Sequence, residues 1–183
     1  MIKEIINSHI DTTNKLLDDI DIIQDICSLS LKTIQQGNTI LLCGNGGSAS
    51  DSIHISSELI GKFEKKRKSL PSISLSSNQS NLTAIANDFG FEHIFSRQIE
   101  ALGRKGDLLI AISTSGNSMN IVNAIKSGIS KDLNVIAFTG EDGGKINDID
   151  CKKFKAPSKN VARIQEMHIL VGHIISKYVE ENI

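Results

Sequence analysis

The chain is short of cysteine, of surplus charge of either sign and of long apolar runs. Cys27, Cys43 and Cys151 are too few and too scattered in 183 residues for a disulfide framework or a paired-cysteine metal knuckle. Cys43 ends an apolar run and reads as a small buried hydrophobe. With 20 basic and 21 acidic residues the formal net charge is -1. Binding nucleic acid takes a concentrated basic face, so no nucleic-acid partner is expected. The one basic run, Lys65-Lys66-Arg67-Lys68, falls between two elements and reads as a solvated loop. No apolar stretch approaches the ~20 residues that span a bilayer, and Met1-Ile2-Lys3-Glu4 lacks the layout of a signal peptide. Internal repeats, low-complexity segments and linkers are also missing. The expectation is one reduced, cytoplasmic domain over residues 1–183 with no membrane partner.

What is present is ordinary in amount, with 39% hydrophobic and 22% charged residues, but ordered in pattern. From residue 2 to about 36, Ile5, Ile6, Ile10, Leu16, Leu17, Ile20, Ile23, Ile26, Leu29 and Ile34 recur at helical spacing. This predicts two helices that break near Asp18-Asp19 and stop at Gly37. Short apolar runs at Thr39–Cys43, Ser72–Ser76, Asp107–Ile112, Val135–Thr139 and, more weakly, Cys151–Ala156 predict buried strands. Helical spacing over Ser48–Phe63, Asn81–Asp88, Phe91–Leu102, Ser118–Ser130 and Asn160–Glu180 fills the gaps. Strands alternating with helices predict an α/β three-layer sandwich around a parallel sheet covered on both faces. The leading helices would leave many isoleucines exposed on a lone chain, and a large apolar face marks a partner surface.

Two polar, glycine-bearing loops follow strands, where ligands of such sheets bind. Gly44-Asn45-Gly46-Gly47-Ser48 is neither a P-loop nor a spaced dinucleotide fingerprint, and no lysine follows its glycines. It suits a sugar approaching the backbone. Ser113-Thr114-Ser115-Gly116-Asn117-Ser118 packs hydroxyls into a strand-to-helix turn. Hydroxyls and N–H groups at a helix N-terminus suit a phosphate; the alternative is an ordinary Ser/Thr N-cap. His54 and Glu58 share one helix face at i, i+4, where they can bind a metal or move protons. Gln165 and His173 lie on the last helix, ~12 Å and ~80° apart, a strained reach for one metal within a single helix. His168 competes as the partner of Gln165, and His9 and His93 have no visible partner.

Taken together, GNGGS with HxxxE, LTAIANDFGFEHIFSRQIEALGRKGDLLIAISTSGNS, TGEDGG and ARIQEMHILVGH resemble the bacterial phosphoheptose isomerases of the sugar-isomerase (SIS) superfamily. The resemblance covers essentially the whole chain. It implies a five-stranded, flavodoxin-like sheet, a cytoplasmic homotetramer and a zinc ion at the site. The implied reaction turns sedoheptulose 7-phosphate into D-glycero-D-manno-heptose 7-phosphate, a precursor of lipopolysaccharide or capsule heptose. By position, Asn45, Gly46 and Gly47 match the family's substrate turn, and Asn87 and Asp88 its mid-chain substrate contacts. Ser113, Thr114, Ser115 and Ser118 match the phosphate loop. His54, Glu58, Gln165 and His173 match the zinc positions; Glu58 and His173 also match the acid–base pair, and Glu58 and Gln165 also face substrate. His168 matches no role there and takes the structural reading. Two other outcomes stay open: a non-catalytic SIS adaptor that binds the replication initiator, and a SIS isomerase of another sugar phosphate.

Overall fold

A computed structural model describes residues 1–183. Five strands, β1 (Ile40–Gly44), β2 (Ser72–Ser74), β3 (Leu108–Ile112), β4 (Asn134–Gly140) and β5 (Lys152–Ala156), form one parallel sheet in the order β2-β1-β3-β4-β5. Every residue of β1 and of β3 is buried, because both faces of a parallel sheet are covered. Alternate residues serve alternate faces. Ile40 and Leu42 join one apolar cluster, with Ile55, Leu59, Met167, Val171 and Ile175. Leu41 and Cys43 join the other, with Phe95, Ile99, Ile121 and Ile125. The thiol of Cys43 is pushed up to about 12 by burial, the protonation state of a small hydrophobe.

Helices α1 (Ile2–Lys15), α2 (Ile20–Gln35), α3 (Gly47–Ile60) and α7 (Val161–Asn182) lie towards the first cluster. Helices α4 (Gln79–Phe89), α5 (Ser96–Leu102) and α6 (Met119–Ser130) lie towards the second. The break expected at Asp18-Asp19 is a short 3-10 turn, Leu16–Asp19. The helix expected over Phe91–Leu102 is split: a 3-10 turn, Phe91–His93, precedes α5. Beyond Ser74 the second strand gives way to side-chain bonding, since the Ser74 hydroxyl accepts from the Ser76 amide at 3.3 Å.

The leading helices divide the work unequally. α2 buries Ile23, Ile26, Cys27 and Ile34, whereas α1 buries only Thr12 and leaves Ile5, Ile6 and Ile10 about half exposed. Polar contacts hold α1 on α7. Arg163 donates to the Ile5 carbonyl at 2.8 Å, and His9 Nδ1 lies 2.7 Å from a Glu166 oxygen. His9 therefore has the partner its sequence context did not reveal, because Glu166 is 157 residues away.

Candidate active site

The chain runs from β1 to β2 on one side and then crosses to β3 on the other, so the strand order reverses between β1 and β3. Their carboxyl ends, Gly44 and Ile112, are register partners. The two polar loops therefore emerge side by side at the crevice where doubly wound sheets bind ligands. After β1, Gly46 takes φ 55°, a backbone conformation that glycine adopts without strain, and the space a Cβ would enter is open. After β3, the Ser113 amide continues the ladder to Phe138 while its hydroxyl donates to Ser118 at 3.2 Å. Gly116, at φ 65°, packs so closely on Gly143 that any side chain there would meet the Gly143 carbonyl. A cavity of about 270 Å³ beside this loop is lined by Thr114, Ser115, Asn117, Gly144 and Lys159 among others.

Ser118 stands at the N-cap position of α6 yet makes no side-chain capping bond. The Ser118 hydroxyl takes the bond from Ser113 instead of closing the helix end, and the Ser115 hydroxyl accepts the Asn117 amide at 3.1 Å, which disfavours the ordinary N-cap reading at Ser118.

Sequence reasoning missed what ties the loops together. Asn45 and Asn120 exchange two amide hydrogen bonds, 2.9 and 2.8 Å long, and Asn120 is buried. The pair fixes the glycine turn to the first turn of α6. Asn120 follows the phosphate-loop motif by two residues, but an asparagine inside a helix carries no sequence mark of its partner.

The remaining chemistry lies where α3 and α7 run side by side in the same direction. Gly47 meets Gln165, Ile55 meets Gly172, and the backbone at Phe63 meets Glu180, so the pairing keeps nearly one register throughout. A Cβ at Gly172 would collide with the Ile55 side chain, so this glycine permits the close approach. One residue on, His173 faces His54 edge-to-face at 5.0 Å between ring centroids. His54 Nε2 lies 3.0 Å from Glu58 Oε1. Two imidazole nitrogens and a carboxylate oxygen of this trio lie within 4.8 Å of one another. That donor set fits a metal, and three protein ligands with room for another are the usual form of a catalytic site. Gln165 lies against Gly47, about two turns nearer the strand ends.

Electrostatics favour a neutral His173. Burial, and then the neighbouring His54, hold His173 below the usual imidazole range; Glu58 opposes both. Asp51, one turn before His54, has its carboxyl pushed up to about 6 by burial, with His54 pulling the other way, and its Oδ2 is buried without a partner. His168, by contrast, is a core residue. It is fully buried, its Nε2 lies 3.0 Å from the Thr139 carbonyl, and burial brings it down to about 4.

One expected pair is left uncovered in the single chain, and one expectation is corrected. Asn87 and Asp88 are exposed on α4, a helix with no buried residue, and Asn87 donates to Asp88 at 2.7 Å. The basic run is not uniformly solvated. Lys65, Lys66 and Lys68 are exposed, but the Arg67 side chain is 8% exposed and pairs with a buried Glu180. A charge run marks itself in sequence; the single acid that draws one member inward, 113 positions later, does not.

This fold and site define a SIS-domain protein, and the SIS-domain family model matches residues 6–140. Over 184 residues the chain is 44% identical to phosphoheptose isomerase of Aliarcobacter butzleri, covering 100% of this chain and 97% of that protein. It is 45% identical to the enzyme of that name from Aneurinibacillus thermoaerophilus, covering 100% and 93%. Among solved structures, phosphoheptose isomerase from Francisella tularensis superposes with a TM-score of 0.94 at 33% identity, covering 98% of this chain and 96% of that one. The Neisseria gonorrhoeae enzyme gives 0.87 at 38%, covering 99% and 100%. The chain belongs to the phosphoheptose isomerase family.

Proposed function

We propose that this protein interconverts D-sedoheptulose 7-phosphate and D-glycero-D-manno-heptose 7-phosphate through an enediol. The observation that carries the reading is the convergence of His54, Glu58 and His173 on two parallel helices, next to paired strand-end loops suited to a phosphorylated sugar. Ser113, Thr114, Ser115 and Ser118 take the phosphate, with the N-terminus of α6 adding a favourable dipole. Asn45, Gly46, Gly47 and Gln165 hold the sugar, and Asn87 and Asp88 contribute from α4 once another subunit covers it.

Glu58 takes the proton from the carbon next to the carbonyl and returns it to the neighbouring carbon. His173 moves the proton between the two oxygens, a task that suits an imidazole held neutral by burial. His54, Glu58 and His173 would hold the metal, and Gln165, about two turns from His173 on the same helix, would complete the set from a neighbouring subunit. The metal would be zinc, one per subunit. When bound, it supplies Lewis acidity at the sugar carbonyl. The exposed apolar residues of α1 support a homotetramer, since a partner surface would cover them. No helix is long and apolar enough to cross a membrane, and the reaction belongs to the cytoplasm. The heptose product serves lipopolysaccharide or capsule synthesis.

The test is Glu58→Gln. Turnover of sedoheptulose 7-phosphate should vanish while calorimetry still detects sugar-phosphate binding; near-full activity would remove Glu58 as the base. Offering wild-type protein several ketose phosphates in parallel separates a seven-carbon preference from a six-carbon one.

A further inference from the structure

The geometry points to Arg67 and Glu180 as a positioning clamp that sets the separation of Glu58 and His173; this rests on the catalytic reading just given. The Arg67 guanidinium closes the carboxyl end of α3. It donates to the Glu58 carbonyl at 2.7 Å and to the Leu59 carbonyl at 2.8 Å, with a longer bond to Gly61 at 3.4 Å. The Glu58 carbonyl belongs to the last turn of α3, which the helix leaves without an amide partner; the Leu59 carbonyl also accepts from the Leu70 amide at 3.1 Å, and Arg67 reaches the Lys68 carbonyl at 3.0 Å as well. A cation there also complements the helix dipole. Arg67 Nε lies 3.1 Å from Glu180 Oε1, and the two side chains are 8% and 2% exposed.

Glu180 holds the segment that follows α3. Its oxygens accept the amides of Phe63, Glu64 and Lys65 at 2.9, 2.7 and 2.8 Å. Burial pushes this carboxyl up, but the three amides and Arg67 outweigh it and hold it at about 2. One consequence reaches the site directly: the Phe63 ring, whose amide Glu180 holds, packs on the His173 ring at 5.5 Å. His173 and Glu180 are about two turns apart on the same face of α7, and Phe63 meets the first with its ring and the second with its amide. The clamp thus joins the helix carrying His54 and Glu58 to the helix carrying His173, at the end where no loop connects them. Neither clamp residue faces the sugar-phosphate loops, so its effect should fall on the reacting end of the site.

The test uses the full-length protein in Glu180→Gln, Arg67→Lys and Phe63→Leu forms, assayed well below their unfolding temperatures. Removing the carboxylate charge should lower kcat about tenfold with KM for the sugar phosphate within twofold. Zinc affinity, read by competition with a chromogenic chelator, should weaken about tenfold, the scale on which supports of metal ligands act. Arg67→Lys keeps the charge but loses the two-carbonyl fork, and should fall between wild type and Glu180→Gln. Phe63→Leu leaves the ion pair intact and removes only the ring on His173; it should reproduce part of the kcat loss, and it decides the matter if Glu180→Gln does not fold. Lower thermal stability in Glu180→Gln or Phe63→Leu, with kcat and zinc affinity both at wild-type values, would overturn the clamp as a positioning device. A Glu58→Gln control that retained turnover would instead overturn the catalytic reading beneath it.

Discussion

Two helices bear expected sugar-site residues under opposite conditions. α3 is locked against the sheet and α7, and its His54 and Glu58 find their third partner within the same chain. α4 buries none of its residues, and its Asn87 and Asp88 are exposed. The metal-capable trio is therefore assembled by the fold of one chain, while α4 is left uncovered. Chemistry that needs sub-ångström placement sits on packed elements, where neighbours fix each rotamer. If Asn87 and Asp88 only grip a sugar hydroxyl, as proposed, they tolerate a helix that a second subunit completes.

The strongest way to break this contrast is Glu58→Gln, expected to lower kcat by at least about 10³-fold, within the range for loss of a general base. If α4 acts on a neighbour's site, mixing Glu58→Gln with Asp88→Ala subunits should recover activity that neither variant has, measured after exchange of subunits in mild denaturant. No recovery, with both variants folded, would confine α4 to its own chain. Next in size is Asn120→Ala. Losing two amide bonds to Asn45 should cost about 1.4 kcal/mol of positioning and lower kcat/KM by about tenfold, mainly through KM if the glycine turn grips the sugar as proposed. Gly172→Ala sharpens the packed side: a methyl forced against Ile55 should destabilise the protein by about 1–3 kcal/mol, seen in urea unfolding.

The most gradual effect is a slope in pH. His168 is neutral in the folded protein until about pH 4, because burial lowers it, whereas the unfolded chain takes up a proton near 6.5, the ordinary imidazole value. Stability is then fully present above pH 6.5 and is lost as pH falls towards 4, by up to about 1 kcal/mol per pH unit. His168→Leu should flatten that part of the urea-midpoint profile.

Much of this was legible in the chain. Buried strands announce themselves as short apolar runs, and both polar loops stand where a strand gives way to a helix. His54 and Glu58 share a face by spacing alone. What periodicity cannot encode is which distant partner completes a pair: Glu166 for His9, Asn120 for Asn45, Glu180 for Arg67. Each lies 75 or more positions away, so the fold, and not local pattern, decides them. Helix ends slipped for a related reason: the split before α5 depends on how Ile94 and Phe95 enter the core.

The shared direction of α3 and α7 has an electrical consequence. Both begin at the carboxyl edge of the sheet, as does α6, so three amino-terminal poles converge where an anionic substrate tail would rest. At the far end of α3 the negative pole meets the Arg67 guanidinium instead. A sugar phosphate entering this crevice would meet a field already aligned to turn its charged end inward, before any side chain touches it.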